Sequence, residues 1–111
     1  MAIFVKMSWP GMKESDYLKT FKAIDVENKP PLGLITHAAT ATKNGMDIVD
    51  IWESEADFNS FVTTRMADVA KALNLTSKPT TEIVKLTNFY KSLSPKDCEA
   101  YDKTTHTFAR S

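Results

Sequence analysis

The sequence predicts an α+β domain over residues 1–90, with four strands and two helices in the order βαββαβ. Three observations predict it: β-prone runs at both ends of this segment, two more such runs around an Asn-Gly pair, and two amphipathic segments between the runs. Right-handed crossovers would place both helices on one face of the sheet. The order therefore favours a ferredoxin-like, four-stranded antiparallel sheet.

The first strand and helix are predicted by local composition. Residues 2–9 are rich in Ile, Phe, Val and Met and end at a Pro-Gly turn signal. A helix is predicted over residues 14–26, because apolar side chains recur there at helical spacing, namely Tyr17, Leu18, Phe21 and Ile24. Two consecutive prolines in the segment 28–33 then end it.

A β-hairpin is predicted next, from residues 34–42 and 46–52. The pair Asn44-Gly45 between them readily adopts the positive φ angles of a two-residue turn. Counting outward from that loop pairs Lys43 with Met46, Ala39 with Asp50, and His37 with Trp52.

The second helix is predicted to begin at Ser54, whose hydroxyl can cap the first turn, with Asp57 as its capping-box partner. Its apolar face comprises Phe58, Phe61, Val62, Met66, Val69 and Leu73. Asn74 is suited to a left-handed stop, and residues 82–90 alternate as a fourth strand. Residues 91–111 are predicted to be a polar extension with a short helix near 96–101 that packs on a dimer.

Composition disfavours several classes of protein. Lys plus Arg and Asp plus Glu number 14 each, so the formal charge is +0 and nucleic-acid binding is not expected. One cysteine, Cys98, and two histidines offer no disulfide pair and no zinc framework, so neither a metal nor another cofactor is predicted. The N-terminus shows no leader or membrane segment, which favours a cytoplasmic protein without membrane association.

The hairpin register gathers three candidate site residues on one face: His37, Asp50 and Trp52. His37 and Asp50 would be diagonal neighbours with their Cβ atoms roughly 7 Å apart, close enough for a direct or water-bridged contact between the side chains. His37 could then act as acid or base while Asp50 orients its ring, and Trp52 would provide a flat apolar wall. A three-residue loop, 43–45, would instead turn His37 to the face opposite Trp52.

The pocket around these residues is predicted to be lined by aromatic and apolar side chains from the helices and by one strand amide, namely Tyr17, Phe21, Phe58, Phe61, Met66 and Asn88. Each of these residues is more often structural than functional when considered alone. His106 and Cys98 lie in the polar extension, where solvation or an interface is the default role.

The segment VDIWESEADFNSF, residues 49–61, resembles the strand-to-helix junction of the dimeric α/β-barrel superfamily, which includes antibiotic-biosynthesis monooxygenases and haem-degrading enzymes. Its sharpest element is Trp52-Glu53-Ser54 with Phe58. The resemblance implies two sheets packed face to face in a homodimer, with one cavity per subunit beneath Trp52. Such packing would also cover the small and apolar residues expected on the outer face of the sheet, Ala38, Thr40, Val49 and Ile51.

Two departures from the family narrow what the resemblance implies. The second helix, residues 55–74, has no histidine to match the haem ligand, and Ile48 stands where the quinone-forming enzymes carry an asparagine four residues before the tryptophan.

The leading hypothesis is a homodimer that binds a small hydrophobic, aromatic or polyketide-like molecule. His37 would serve a cofactor-free cyclisation, isomerisation or oxygenation. The alternative is a non-catalytic ligand-binding or stress-associated dimer, and a third hypothesis has residues 91–111 closing the pocket.

Overall fold

A computed structural model of the chain describes residues 1–90. Strands β1 (Ile3–Pro10), β2 (Leu34–Thr42), β3 (Gly45–Trp52) and β4 (Thr80–Lys85) form an antiparallel sheet in the order β2-β3-β1-β4. Helix α1 spans Glu14–Ile24, and helices α2 (Glu55–Phe61) and α3 (Ala67–Ala72) are joined by a π-helical turn, Val62–Met66. This confirms the predicted α+β ferredoxin-like order. The predicted helix at 96–101, Cys98 and His106 lie outside the described residues.

The hairpin between β2 and β3 turns one residue earlier than predicted. Thr42 pairs with Gly45, so the loop is Lys43-Asn44 rather than Asn44-Gly45. The Thr42 hydroxyl stabilises this turn because it accepts hydrogen bonds from the amides of Asn44 at 3.3 Å and Gly45 at 3.1 Å. The side chain that stabilises the turn is therefore Thr42, which was overlooked in the sequence because the Asn-Gly pair is the stronger turn pattern.

The predicted pairing of His37 with Trp52 is consequently wrong. From Thr36 to Thr42, each β2 residue pairs two positions earlier on β3 than predicted, so His37 faces Asp50 directly and Ala39 faces Ile48. A shift of two residues keeps every side chain on its original face. His37, Asp50 and Trp52 therefore still share a face, and the three-residue loop is excluded.

Gly45 is required by a close backbone contact at the end of the hairpin. It pairs with Pro10 on β1 and adopts a φ angle of +152°. A Cβ atom at this position would lie 2.0 Å from the carbonyl oxygen of Trp9. No side chain fits there, so Gly45 allows β1 and β3 to pair up to their ends.

The second helical segment begins at Ser54 as predicted, because the Ser54 hydroxyl accepts a hydrogen bond from the Asp57 amide at 3.1 Å. Its middle widens into the π-helical turn. There the Thr63 and Thr64 hydroxyls donate to the carbonyls of Asn59 at 2.9 Å and Ser60 at 2.6 Å. These side-chain bonds compete with the backbone ladder in a run of β-branched residues, which favours local irregularity.

The chain reversals around the helices also follow the sequence signals. Asn74 has a φ angle of 53°, which confirms its predicted left-handed conformation. Helix α1 ends at Ile24, two residues earlier than predicted, where Asp25 adopts a left-handed conformation with φ 63°. Arg65 of the π-helical turn donates to the Ile24 carbonyl at 2.6 Å and so joins the two helical segments.

The core lies between the sheet and the helices in two clusters. One contains Ile3, Val5, Trp52 and Phe58, and the other contains Trp9, Met12, Met46 and Ile48. Buried positions alternate along β1 and along β3 as far as Asp50, with the helices on the inward face; Ile51, on the outward face, is also buried.

The fourth strand is shorter than predicted. It ends at Lys85, where pairing with β1 stops, rather than at Tyr90. Asn88 therefore lies beyond the strand and is exposed. After Lys85 one more backbone bond joins the two segments, from the Leu86 amide to the Ala2 carbonyl at 3.1 Å, and Asn88 follows outside the lining of the cavity, contrary to the prediction.

The outer face of the sheet has no covering layer within residues 1–90. Phe4 and Val49 are half-buried there, and Val84 is 46% exposed. In the same part of the chain, no helix has the length and apolar character needed to cross a membrane.

Candidate functional site

The centre of the site is a pair of side chains on the β2–β3 hairpin. Because His37 and Asp50 are direct cross-strand partners, their side chains meet on the face beneath the helices. His37 Nδ1 donates to Asp50 Oδ1 at 2.7 Å. The Asp50 residue is 4% exposed, so its carboxylate is removed from solvent and is held by protein donors.

Trp52 supplies the second donor to this carboxylate. It follows Asp50 by two positions on β3 and therefore points to the same side, where its Nε1 donates to Asp50 Oδ2 at 3.2 Å. The residue is 1% exposed, and its ring packs edge-on against Phe58 with a centroid distance of 5.6 Å. Trp52 therefore combines a core role with a polar one, the orientation of Asp50.

Tyr17 completes the polar group from helix α1. Its hydroxyl forms a hydrogen bond with His37 Nε2, on the opposite side of the imidazole from Asp50. The Tyr17 and His37 rings are nearly parallel, at 7°, and Phe21 stacks on His37 with a centroid distance of 5.3 Å. The His37 ring is thus held between the carboxylate of Asp50 on β3 and the phenol of Tyr17 on α1.

The proton positions in this chain of contacts are internally consistent. Burial, with a contribution from the negative charge of Asp50, raises the pKa of Tyr17, so its hydroxyl keeps its proton. The Asp50 carboxylate can only accept, so Nδ1 carries the proton that faces it; an imidazole with that single proton accepts at Nε2, where the Tyr17 hydroxyl donates. The direction of donation runs from Tyr17 to His37 to Asp50, and from Trp52 to Asp50.

A cavity of about 610 Å³ lies between the sheet and the helices. Eight of the predicted site residues line it: His37, Asp50, Trp52, Tyr17, Phe21, Phe58, Phe61 and Met66. Asn88 does not. The rest of the wall is mostly apolar, and the charged residues that line the cavity are Asp50 and Lys78. Such a space suits a small, largely apolar molecule with few polar groups.

Several lining residues were not anticipated from the sequence, including Met7, Trp9 and Leu75. The alternation of β1 carries a signal for Met7 and Trp9, because both share the inward face with Val5. No sequence pattern indicates Leu75, which reaches the cavity through the turn after α3. The polar role of Tyr17 was also missed, because its helical spacing indicated only an apolar face.

Metal-ligating side chains do not cluster in the described part of the chain. Over residues 1–90, no three of the histidine, cysteine, aspartate and glutamate side chains come together in a group that could hold an ion. His37 and Asp50 do lie together, at 2.7 Å, and their remaining polar atoms are engaged with Tyr17 and Trp52.

The fold and the cavity together define a class of structure: a ferredoxin-like α+β fold with a cavity between its sheet and its helices. No protein-family model and no curated protein matches the sequence. Solved structures do resemble it, but at low sequence identity, so the likeness shows the fold alone.

Three of these structures illustrate the likeness. A conserved protein from Methanosarcina mazei is 14% identical, over 78% of this chain and 94% of that one, with a TM-score of 0.60. SnoaB, a cofactor-independent oxygenase from Streptomyces nogalater, is 13% identical over 82% and 97%, with a TM-score of 0.59. A Deinococcus radiodurans protein provisionally assigned as an antibiotic biosynthesis monooxygenase is 13% identical over 85% and 100%, with a TM-score of 0.53.

Proposed function

We propose that the protein binds a small hydrophobic molecule in the cavity and acts on it by acid–base chemistry centred on His37. One observation carries the proposal: a hydrogen-bonded Asp50–His37 pair lines a mostly apolar cavity of about 610 Å³. Ligand pockets commonly measure about 300 to 1,000 Å³ and place a few polar groups in apolar walls. If His37 were only a structural residue, we would expect the space beside it to be filled by side chains.

The aromatic wall favours an aromatic or polyketide-like ligand. Trp52, Phe58 and Phe61 lie together, with ring centroids 5.4 to 5.6 Å from Trp52, so a flat ligand can pack against them. Proton transfer by His37 needs no cofactor, and it could serve a cyclisation, an isomerisation or an oxygenation. The likeness in fold to SnoaB is compatible with this range of reactions.

We also propose that the protein is a cytoplasmic homodimer. The outer face of the sheet presents Phe4, Val49 and Val84, and a second copy packed on this face would remove them from water. Sedimentation of the full chain at micromolar concentration should show a dimer. A monomer at all concentrations would reject this part of the proposal.

A non-catalytic ligand-binding dimer is the second candidate function. It is favoured by the saturation of the site, since both ring nitrogens of His37 and both oxygens of Asp50 already have partners within the protein. In that case the polar group stabilises the hairpin against α1. An identified ligand that the wild type binds without converting, or that His37→Ala and Asp50→Ala variants convert at the wild-type rate, would favour this candidate.

Native mass spectrometry of the full chain, purified from its source, tests the ligand-binding function directly. We expect a retained small molecule. Ala70→Phe should displace it, because Ala70 lines the cavity from α3 and a benzyl group would fill part of the space. Ala72→Phe is the matched control, because Ala72 lies exposed on the same helix. Retention by the Ala70→Phe variant at the wild-type level would contradict a ligand in this cavity.

A further inference from the structure

The histidine at the centre of the site has no free ring nitrogen. Nδ1 is engaged with Asp50, and Nε2 is engaged with the hydroxyl of Tyr17. The Asp50 carboxylate is equally occupied, since His37 and Trp52 each donate to one of its oxygens. The Tyr17 hydroxyl stands at the end of this chain of hydrogen bonds, and Tyr17 is one of the residues that line the cavity.

We propose that Tyr17 is the residue that exchanges the proton with the ligand, and that His37 and Asp50 act through it. This inference rests on the proposed function and adds a residue to it. The sequence pattern had assigned Tyr17 only to the apolar wall of the pocket.

The Tyr17 oxygen has the capacity that this role requires. A phenol hydroxyl donates one hydrogen and can accept through its remaining lone pairs. Tyr17 donates its hydrogen to His37, and its oxygen then remains able to accept a hydrogen bond from a ligand in the cavity. The fitting ligand group is a weakly acidic O–H, as in a phenol or an enol.

The proton transfer balances without any oxidant or reductant. The ligand O–H bond breaks and its proton bonds to the Tyr17 oxygen, while the original Tyr17 proton moves to His37 Nε2. The ligand becomes a phenolate or enolate, and His37 becomes an imidazolium whose Nδ1–H remains paired with the Asp50 carboxylate. The reverse transfer returns a proton to the product.

The surroundings of Tyr17 favour its uncharged form before and after the transfer. Burial and the nearby Asp50 carboxylate raise the pKa of Tyr17, so the tyrosine carries protons and does not wait as an anion. The stacked Tyr17, His37 and Phe21 rings hold the two exchanging groups in place.

Umbelliferone, a phenol whose neutral and ionised forms absorb differently, tests this role in the full-length protein. Its methyl ether has the same ring system and no acidic proton. Tryptophan quenching measures the binding of both probes, and absorption measures the ionised fraction of bound umbelliferone at a pH where the free probe is mostly neutral. In the wild type we expect both probes to bind and bound umbelliferone to be enriched in the ionised form.

Tyr17→Phe keeps the ring and removes only the hydroxyl. We expect it to bind both probes within about twofold of the wild type, while the ratio of ionised to neutral umbelliferone falls roughly tenfold, equivalent to one pKa unit. Tyr90→Phe is the matched control, because Tyr90 is 81% exposed and does not line the cavity. Nitrogen NMR of the wild-type His37 ring supplies a measurement that needs no variant, and umbelliferone should convert that ring from neutral to protonated.

Three results would overturn the inference. The Tyr17→Phe variant could ionise the probe as well as the wild type does, the wild type could bind umbelliferone without ionising it, or the His37 ring could stay neutral on binding. The first two leave ligand binding in the cavity intact. Failure of both probes to bind the wild type would instead count against the proposed function, and the inference would fall with it.

Discussion

The buried carboxylate of Asp50 allows a sharp test of how the site is held together. Asp50→Ala removes the one acceptor that residues 1–90 provide for the Trp52 indole, a group that can donate but never accept. Trp52 is 1% exposed, so its N–H would be left unsatisfied, at about 1 to 3 kcal/mol. The lost bond to His37 adds to this, and relief of a buried charge offsets part of it, so we expect a net loss of about 2 to 3 kcal/mol.

Asp50→Asn should cost much less, under about 1 kcal/mol, because a change of histidine tautomer can restore every bond. The amide oxygen accepts from Trp52, and the amide nitrogen donates to His37 Nδ1, which then carries no proton. His37 Nε2 becomes the donor to Tyr17. The asparagine variant therefore keeps the fold but reverses the hydrogen bond on which the proposed proton relay depends.

Urea unfolding monitored by tryptophan fluorescence measures both variants, and Asp47→Ala is the matched control. Asp47 lies on the same strand but points to the opposite face of the sheet, so its loss should change the free energy of unfolding by less than about 0.5 kcal/mol. Equal losses for Asp50→Ala and Asp50→Asn would refute the reasoning, because they would show that the Trp52 donor does not decide the cost.

Three further predictions concern the hairpin, the helix start and alkaline pH. Gly45→Ala should lower the free energy of unfolding by about 2 to 4 kcal/mol, because the new Cβ would meet the Trp9 carbonyl. Gly11→Ala has open space and should cost only about 1 to 2 kcal/mol for its positive φ, so equal losses in denaturant titrations would contradict the steric argument. Ser54→Ala should cost about 1 kcal/mol through loss of the cap, against little change for the exposed Ser60→Ala, and thermal melts that do not separate them would reject the cap. Because the Tyr17 pKa is raised by burial and by Asp50, the folded protein holds its proton longer than the unfolded chain, so stability should fall as pH rises above about 10. Tyr17→Phe should flatten that fall in denaturant titrations at several alkaline pH values, while Tyr90→Phe should leave it in place; a fall that persists in Tyr17→Phe would contradict the assignment.

The order of elements was readable from the chain because each signal is local. The cap at Ser54, the left-handed Asn74 and the alternation of β1 each act within a few residues. The end of β4 was not readable, because it depends on how far the strand stays in register with β1, and that register ends at Ile3 and Lys85. The strand signal continued to Tyr90, but pairing depends on a neighbour distant in sequence.

The candidate site, too, was predictable where it depends on local sequence and unpredictable where it depends on distant contacts. Local alternation sufficed to place Asp50 and Trp52 on one face, and a register wrong by two residues still left His37 on that face. The sequence by itself thus determined the βαββαβ order and the face that holds the histidine, since both follow from short-range periodicity. Only the tertiary structure decided that His37 meets Asp50 directly and that the Tyr17 hydroxyl reaches His37 from α1. Those contacts depend on the Thr42 turn and on how a helix docks across the sheet, which are set by packing between parts of the chain far apart in sequence.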